Sequence, residues 1–126
     1  MLITVETLDD LARGAAFLGT GGGGDPYIGK LVASNAIKEN SAPEVVSLKD
    51  VPDDAWLFTA AGLGAPTIMT EKGFNIDAAV SAEELLEKQR GQKAWDILPV
   101  EMGGVRSMVP IAGAAKTGLP GATLDA

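Results

Sequence analysis

The run Gly19-Thr20-Gly21-Gly22-Gly23-Gly24-Asp25 sets four successive glycines directly before an acidic residue. Each glycine adds an entropic cost on folding, so this many exceed what a turn needs and favour close approach of a small ligand to the backbone. The plainer alternative stays open: glycines with positive backbone angles making a tight connection between two helices. Gly19, Gly21 and Gly24 satisfy the dinucleotide pattern G-x-G-x-x-G, but that motif needs a preceding strand, and here a helical pattern precedes it. Gly24, Gly29 and Lys30 match most of a P-loop, yet Leu31 replaces the magnesium-binding hydroxyl and Pro26 removes a cradling amide. No nucleotide is therefore expected. The loop opens a helix whose unpaired amides suit an oxyanion or carboxylate, although Asp25 competes for those amides as a cap.

With no cysteine and no histidine, thiolate and imidazole chemistry are excluded and carboxylates are the available bases. Glu101 is the first candidate. It would lie at the carboxyl end of a strand, just before Gly103-Gly104 and a helix, where α/β sheets place ligands. Its structural alternative is a salt-bridged or capping carboxylate. Asp125 would hold a similar position after a last strand, and Asp25 is the third candidate. Two such carboxylates at neighbouring strand ends also admit a divalent metal, though zinc has no support in this chain. Gly21, Gly22, Gly23, Gly24, Tyr27, Gly103 and Gly104 complete the candidate substrate-binding set. Tyr27 and Trp95 can stack on a planar ring or simply pack, and Glu71 with Lys72 reads as a solvated charge pair.

These residues need elements to position them. Thr7 is expected to cap a helix with Leu8, Leu11, Ala12, Ala15 and Leu18 on one face, ending at Gly19. Asp25 and Pro26 start a second helix with a buried stripe of Ile28, Leu31, Val32 and Ala36. Strands are expected over 44–48 and 56–61. Ser81 and Glu84 form a capping box for a mostly solvated helix ending near Gly91. A strand over 95–100 follows, then a helix carrying Val105, Met108, Val109, Ala112 and Ala115 that ends at Gly118 and Pro120, and a further strand beginning over 122–124. The order predicts an α/β domain, a layered mixed sheet with flanking helices, incomplete at the carboxyl terminus.

A chain of 126 residues, 46% of them hydrophobic, suits one small domain with a modest core. A formal charge of −7 without a basic stripe argues against nucleic acid and anionic membranes. The start, MLITVETLDD, does not read as a leader, and the uncharged stretch 55–70 falls short of the roughly 20 apolar residues that span a bilayer. A cytoplasmic location is expected.

The run from Leu18 to Gly29, LGTGGGGDPYIG, resembles the opening motif of the S-methyl-thiohydantoin desulfurase family. Two later segments are similar to the same family in the same order: Gly64-Ala65-Pro66-Thr67 with Glu71-Lys72, and Pro99-Val100-Glu101-Met102-Gly103-Gly104 leading to Pro110 and Gly118-Leu119-Pro120. The resemblance covers almost the whole chain. It implies a bacterial two-domain enzyme of hydantoin-type catabolism, in which residues 1–126 form the amino-terminal α/β domain and a β-rich carboxyl-terminal domain is absent. The implied activity is hydrolytic removal of sulfur from a thiohydantoin-type ring, with a cyclic ureide or thiohydantoin as ligand. The implied domain is inactive alone and partnered by the missing domain or another copy of itself. A non-catalytic ligand-binding or assembly domain is the competing expectation.

Overall fold

Apolar residues run almost without interruption from Val105 to Ala115, and a helix apolar on every side must be enclosed on every side. That requirement organises the domain. In the computed structural model, which describes residues 1–119, helix α5 (Val109–Thr117) is buried over its first seven residues. It is packed by helices α2 (Pro26–Glu39) and α4 (Ile76–Arg90) and by strands β1 (Leu57–Ala60) and β2 (Asp96–Pro99). Small residues allow the close approach. A Cβ on Gly113 would lie 2.8 Å from Ile97 Cδ1, and one on Gly29 of α2 would lie 2.7 Å from Met108 Cβ. Ile3, Leu8, Ala33, Ile97, Met108 and Ile111 form the best-buried part of the core.

The domain is mixed α/β, as the element order predicts, and its sheet is small. β1 and β2 pair in parallel with Leu57 opposite Asp96 and Ala60 opposite Pro99. Parallel neighbours need a long crossover. Here it consists of α3 (Pro66–Lys72) and α4. Both strands fall inside the expected ranges and lose only their end residues.

Other expectations are corrected. No strand forms over 44–48: one antiparallel bridge joins Leu2 to Glu44, flanked by bonds from Ile3 N to the Pro43 carbonyl and from Val45 N to the Met1 carbonyl. Pro43 has no N–H to extend that ladder, and Ser47 accepts from Lys49 N to start a 3-10 turn over Leu48–Asp50 instead. Helix α1 (Leu8–Gly19) buries Leu8 and Ala15 but leaves Leu18 exposed. Thr7 is its N-cap only by position, since its hydroxyl bonds with Thr4. On α2 the buried residues are Gly29, Ala33, Ala36 and Ile37, so Ala36 alone of the expected stripe is fully covered. The segment after Gly64, where no element is expected, contains α3. Helix α4 begins at Ile76 with Asn75 as cap, and Ser81 sits inside it. Val105 belongs to a 3-10 turn (Gly104–Ser107) that leads into α5. The expected strand over 122–124 lies outside the described residues. Among those residues, no helix is long and apolar enough to cross a membrane.

Candidate functional site

The connection from α1 to α2 lies directly on the segment after β2, and contact is backbone to backbone. Val105 N donates to the Gly23 carbonyl at 2.9 Å. A Cβ on Gly23 would sit 2.5 Å from the Gly103 carbonyl oxygen, and one on Gly103 would sit 2.7 Å from Gly19 Cα. A Cβ on Gly104 would run into Gly23. Gly103 N is fixed from the other side by the buried Ser107 hydroxyl, which accepts its hydrogen at 2.8 Å. Gly23, Gly103 and Gly104 are thus required by a seam between two backbones. Gly21 is different. Its φ is +92°, yet among the described residues nothing lies within 4 Å of where a Cβ would be.

The seam forms one wall of a cleft of about 790 Å³, within the range of small-molecule sites. Gly21 to Pro26 line one side and Gly104 to Arg106 continue it. The opposite side comes from the loop leaving β1, Gly62 to Ala65, and from Ile68, Met69, Phe74 and Asn75 around α3. The cleft therefore opens where both strands end, the position that α/β sheets use for ligands. Its walls are largely apolar. Among the described residues, the charged ones lining it are Asp25 and Arg106.

Of the candidate residues, Gly21, Gly22, Gly23, Gly24, Gly104 and Asp25 line this cleft. Asp25 caps α2, its Oδ1 accepting from Tyr27 N at 2.9 Å. Tyr27 is absent from the lining. It is 55% exposed and its ring meets Lys30 Nζ 5.2 Å from the centroid. Lys30 also bonds to Asp9 at 2.7 Å and holds that carboxyl below its usual range. Glu101 stands beside the cleft and reaches it through Arg106, whose Nη1 donates to Glu101 Oε1 at 2.7 Å. Asp125 lies outside the described residues. Among the described residues no group of three or more acidic side chains is arranged to hold a metal ion.

Sequence reasoning passed over Arg106, Met69 and Phe74. The signal was available for part of this set: the strand-end rule that singled out Glu101 after β2 applies equally to the loop after β1. Arg106 had no such marker, because only the folded turn brings it to the cleft.

A strongly shifted group lies elsewhere, on α4. Glu83 is pushed up to about 7, first by burial and then by the charge of Glu87, and its Oε2 has no hydrogen-bond partner among the described residues. Glu87 is held below the usual carboxylate range by Lys93 and by the Ala94 amide, which donates to its Oε1 at 2.8 Å.

The fold defines a small α/β domain with a cleft at the carboxyl ends of its strands. The chain belongs to the S-Me-THD-like family: the family model described as "S-Me-THD-like, N-terminal domain" matches residues 6–126. No curated protein matches the sequence. The fold is similar to the crystal structure of a structural-genomics protein from Chromobacterium violaceum, with a TM-score of 0.80 at 28% identity. That match covers 98% of this chain and 34% of the other, so the chain spans about a third of the length of that protein.

Proposed function

We propose that the domain is the ligand-binding part of a hydrolase-like enzyme that removes sulfur from thiohydantoin-type rings, and that it is inactive alone. One observation supports this reading: a cleft sized for a small molecule, with largely apolar walls, one acidic and one basic side chain and open glycine backbone, at the carboxyl ends of both strands. In the reaction, water attacks the ring carbon bearing an S-alkyl group, the carbon–sulfur bond breaks and a carbonyl forms; of the two protons of the water, one leaves with the sulfur as a thiol and the other ends on the ring nitrogen. A base must receive the proton of that water.

Position favours Asp25 over Glu101 for this role. Asp25 lines the cleft and only its Oδ1 is engaged by the cap, whereas Glu101 is tied to Arg106. Asp25→Asn separates base from cap, because asparagine caps a helix about as well as aspartate. Covalently joined to the remainder of a complete family member, the variant should keep ring binding and lose thiol release. Unchanged release would remove Asp25 from the chemistry, and the same assay on Glu101→Gln would then decide for or against Glu101.

Binding itself is tested on the 126-residue chain by thermal unfolding with and without 2-thiohydantoin. Ligand at a hundred times its Kd stabilises the folded state by about 2.7 kcal/mol. A cooperative transition that does not move at millimolar ligand would sink the reading of the cleft. A second reading, assembly without catalysis, is favoured by Phe17 and Leu63, which are 82% and 99% exposed. It predicts association without thiol release by any assembled form.

A further inference from the structure

The amino-terminal end of α2 is the obvious place for an anionic part of a ligand, but Asp25 occupies it. Its carboxylate already accepts from Tyr27 N, and a second negative group there would face it directly. The remaining charged residue of the cleft is Arg106. Its backbone is firmly placed: Val105 and Ser107 on either side are buried, Val105 N bonds to Gly23, and Ser107 holds Gly103. Its side chain is 26% exposed, and one nitrogen, Nη1, is bonded to Glu101, which is itself half exposed. A guanidinium carries five N–H donors in a planar fork suited to a carboxylate. Among the described residues, Glu101 is the only protein acceptor of the Arg106 guanidinium, and its other nitrogens bond to none.

We infer that Arg106 recognises a carboxylate on the ligand, and that Glu101 is a built-in rival for the same guanidinium. The cleft therefore selects ring compounds that carry a carboxylate side chain, with the ring against the Met69 and Phe74 side and the carboxylate on Arg106. This rests on reading the cleft as the ring-binding site. Glu101 acts through Arg106: when the cleft is empty it keeps the guanidinium paired, and it weakens anion binding by competing for it.

The experiment is calorimetric titration of the 126-residue chain with hydantoin-5-acetic acid and with its methyl ester, which share a ring and differ in charge. The acid should bind about tenfold more tightly than the ester, the scale of a charge-assisted hydrogen bond. Arg106→Gln should abolish that preference, bringing acid and ester to the same affinity. Glu101→Gln should strengthen acid binding by up to about fivefold, the worth of an exposed ion pair, and leave the ester unmoved. Equal affinity for acid and ester in the unmodified chain, or a preference that survives Arg106→Gln, would overturn the inference while the ring site stands. Failure of both compounds to bind would bring down the ring site and this inference together. Should Arg106→Gln fail to fold by circular dichroism, Glu101→Gln decides, since unchanged or weaker acid binding would overturn the competition.

Discussion

A single methyl group added at position 104 would strike the Gly23 backbone and force an L side chain to a φ of +58°. Neither strain can relax without opening the seam, so Gly104→Ala should cost roughly 3 kcal/mol or more in urea unfolding. Gly21→Ala meets only the cost of its positive φ, about 1 kcal/mol, because the space around it is open. If the two variants unfold alike, the seam does not bear on stability as described. This contrast marks what the sequence could show at the residue scale. Four consecutive glycines and a later pair pointed to close approach of a ligand to the backbone rather than of one backbone to another, and Asp25 announced its cap. Nothing in their order told which glycines face another backbone and which face open space. That division arises only when residues some eighty positions apart in the chain are brought together.

Helix α4 shows how a local pattern can mislead. Ser81 and Glu84 fit a capping box, yet the helix starts earlier, because Asn75 supplies the cap by accepting from Asp77 N and Ala78 and Ala79 favour the helix between them. The helix buries Glu83 and Glu87 and exposes Leu85, the reverse of what hydrophobic periodicity implies. Two glutamates four residues apart on a buried face repel unless one is neutral. Glu87 keeps its charge with Lys93 and Ala94, and Glu83 is the one driven toward neutrality. Since the folded pKa of Glu83 lies above its ordinary value of 4.5, its contribution is full below that pH and is lost as pH rises through about 7. Glu83→Gln should remove that decline and, allowing for solvent around its neighbours, stabilise the domain near pH 8 by about 1 kcal/mol. Glu87 works in the opposite sense, stabilising above the ordinary carboxylate range and less as acid protonates it. Urea titrations from about pH 2.5 to pH 8 check both. A Glu83→Gln variant whose stability falls with pH as the unmodified chain does would refute the assignment.

In the whole domain, α5 is the shared partner of two helices and both strands, and Lys116 near its end also pairs with Asp77 at the start of α4. Ile111, fully buried on this helix, should cost about 2–5 kcal/mol when shortened to alanine, enough to threaten folding of so small a domain. Retention of a cooperative transition at nearly the same temperature would show that the core does not converge there. The class of fold was legible because α5 and the strands are apolar in runs too continuous for surface elements. The two-stranded sheet was less legible, since strand pairing depends on the crossover and on where Pro43 interrupts the amino-terminal bridge.

The backbone seam has a consequence for how such a domain changes over generations. One wall of the cleft is made largely of main chain, and its glycines have almost no acceptable replacements, so substitution cannot easily reshape it. The facing wall is made of side chains, from Leu63 to Phe74, on a loop and a short helix that carry little of the core. New ligand preferences should therefore be acquired through that wall. In a selection for binding an altered ring, accepted replacements should accumulate between residues 62 and 75, while positions 23, 103 and 104 stay glycine.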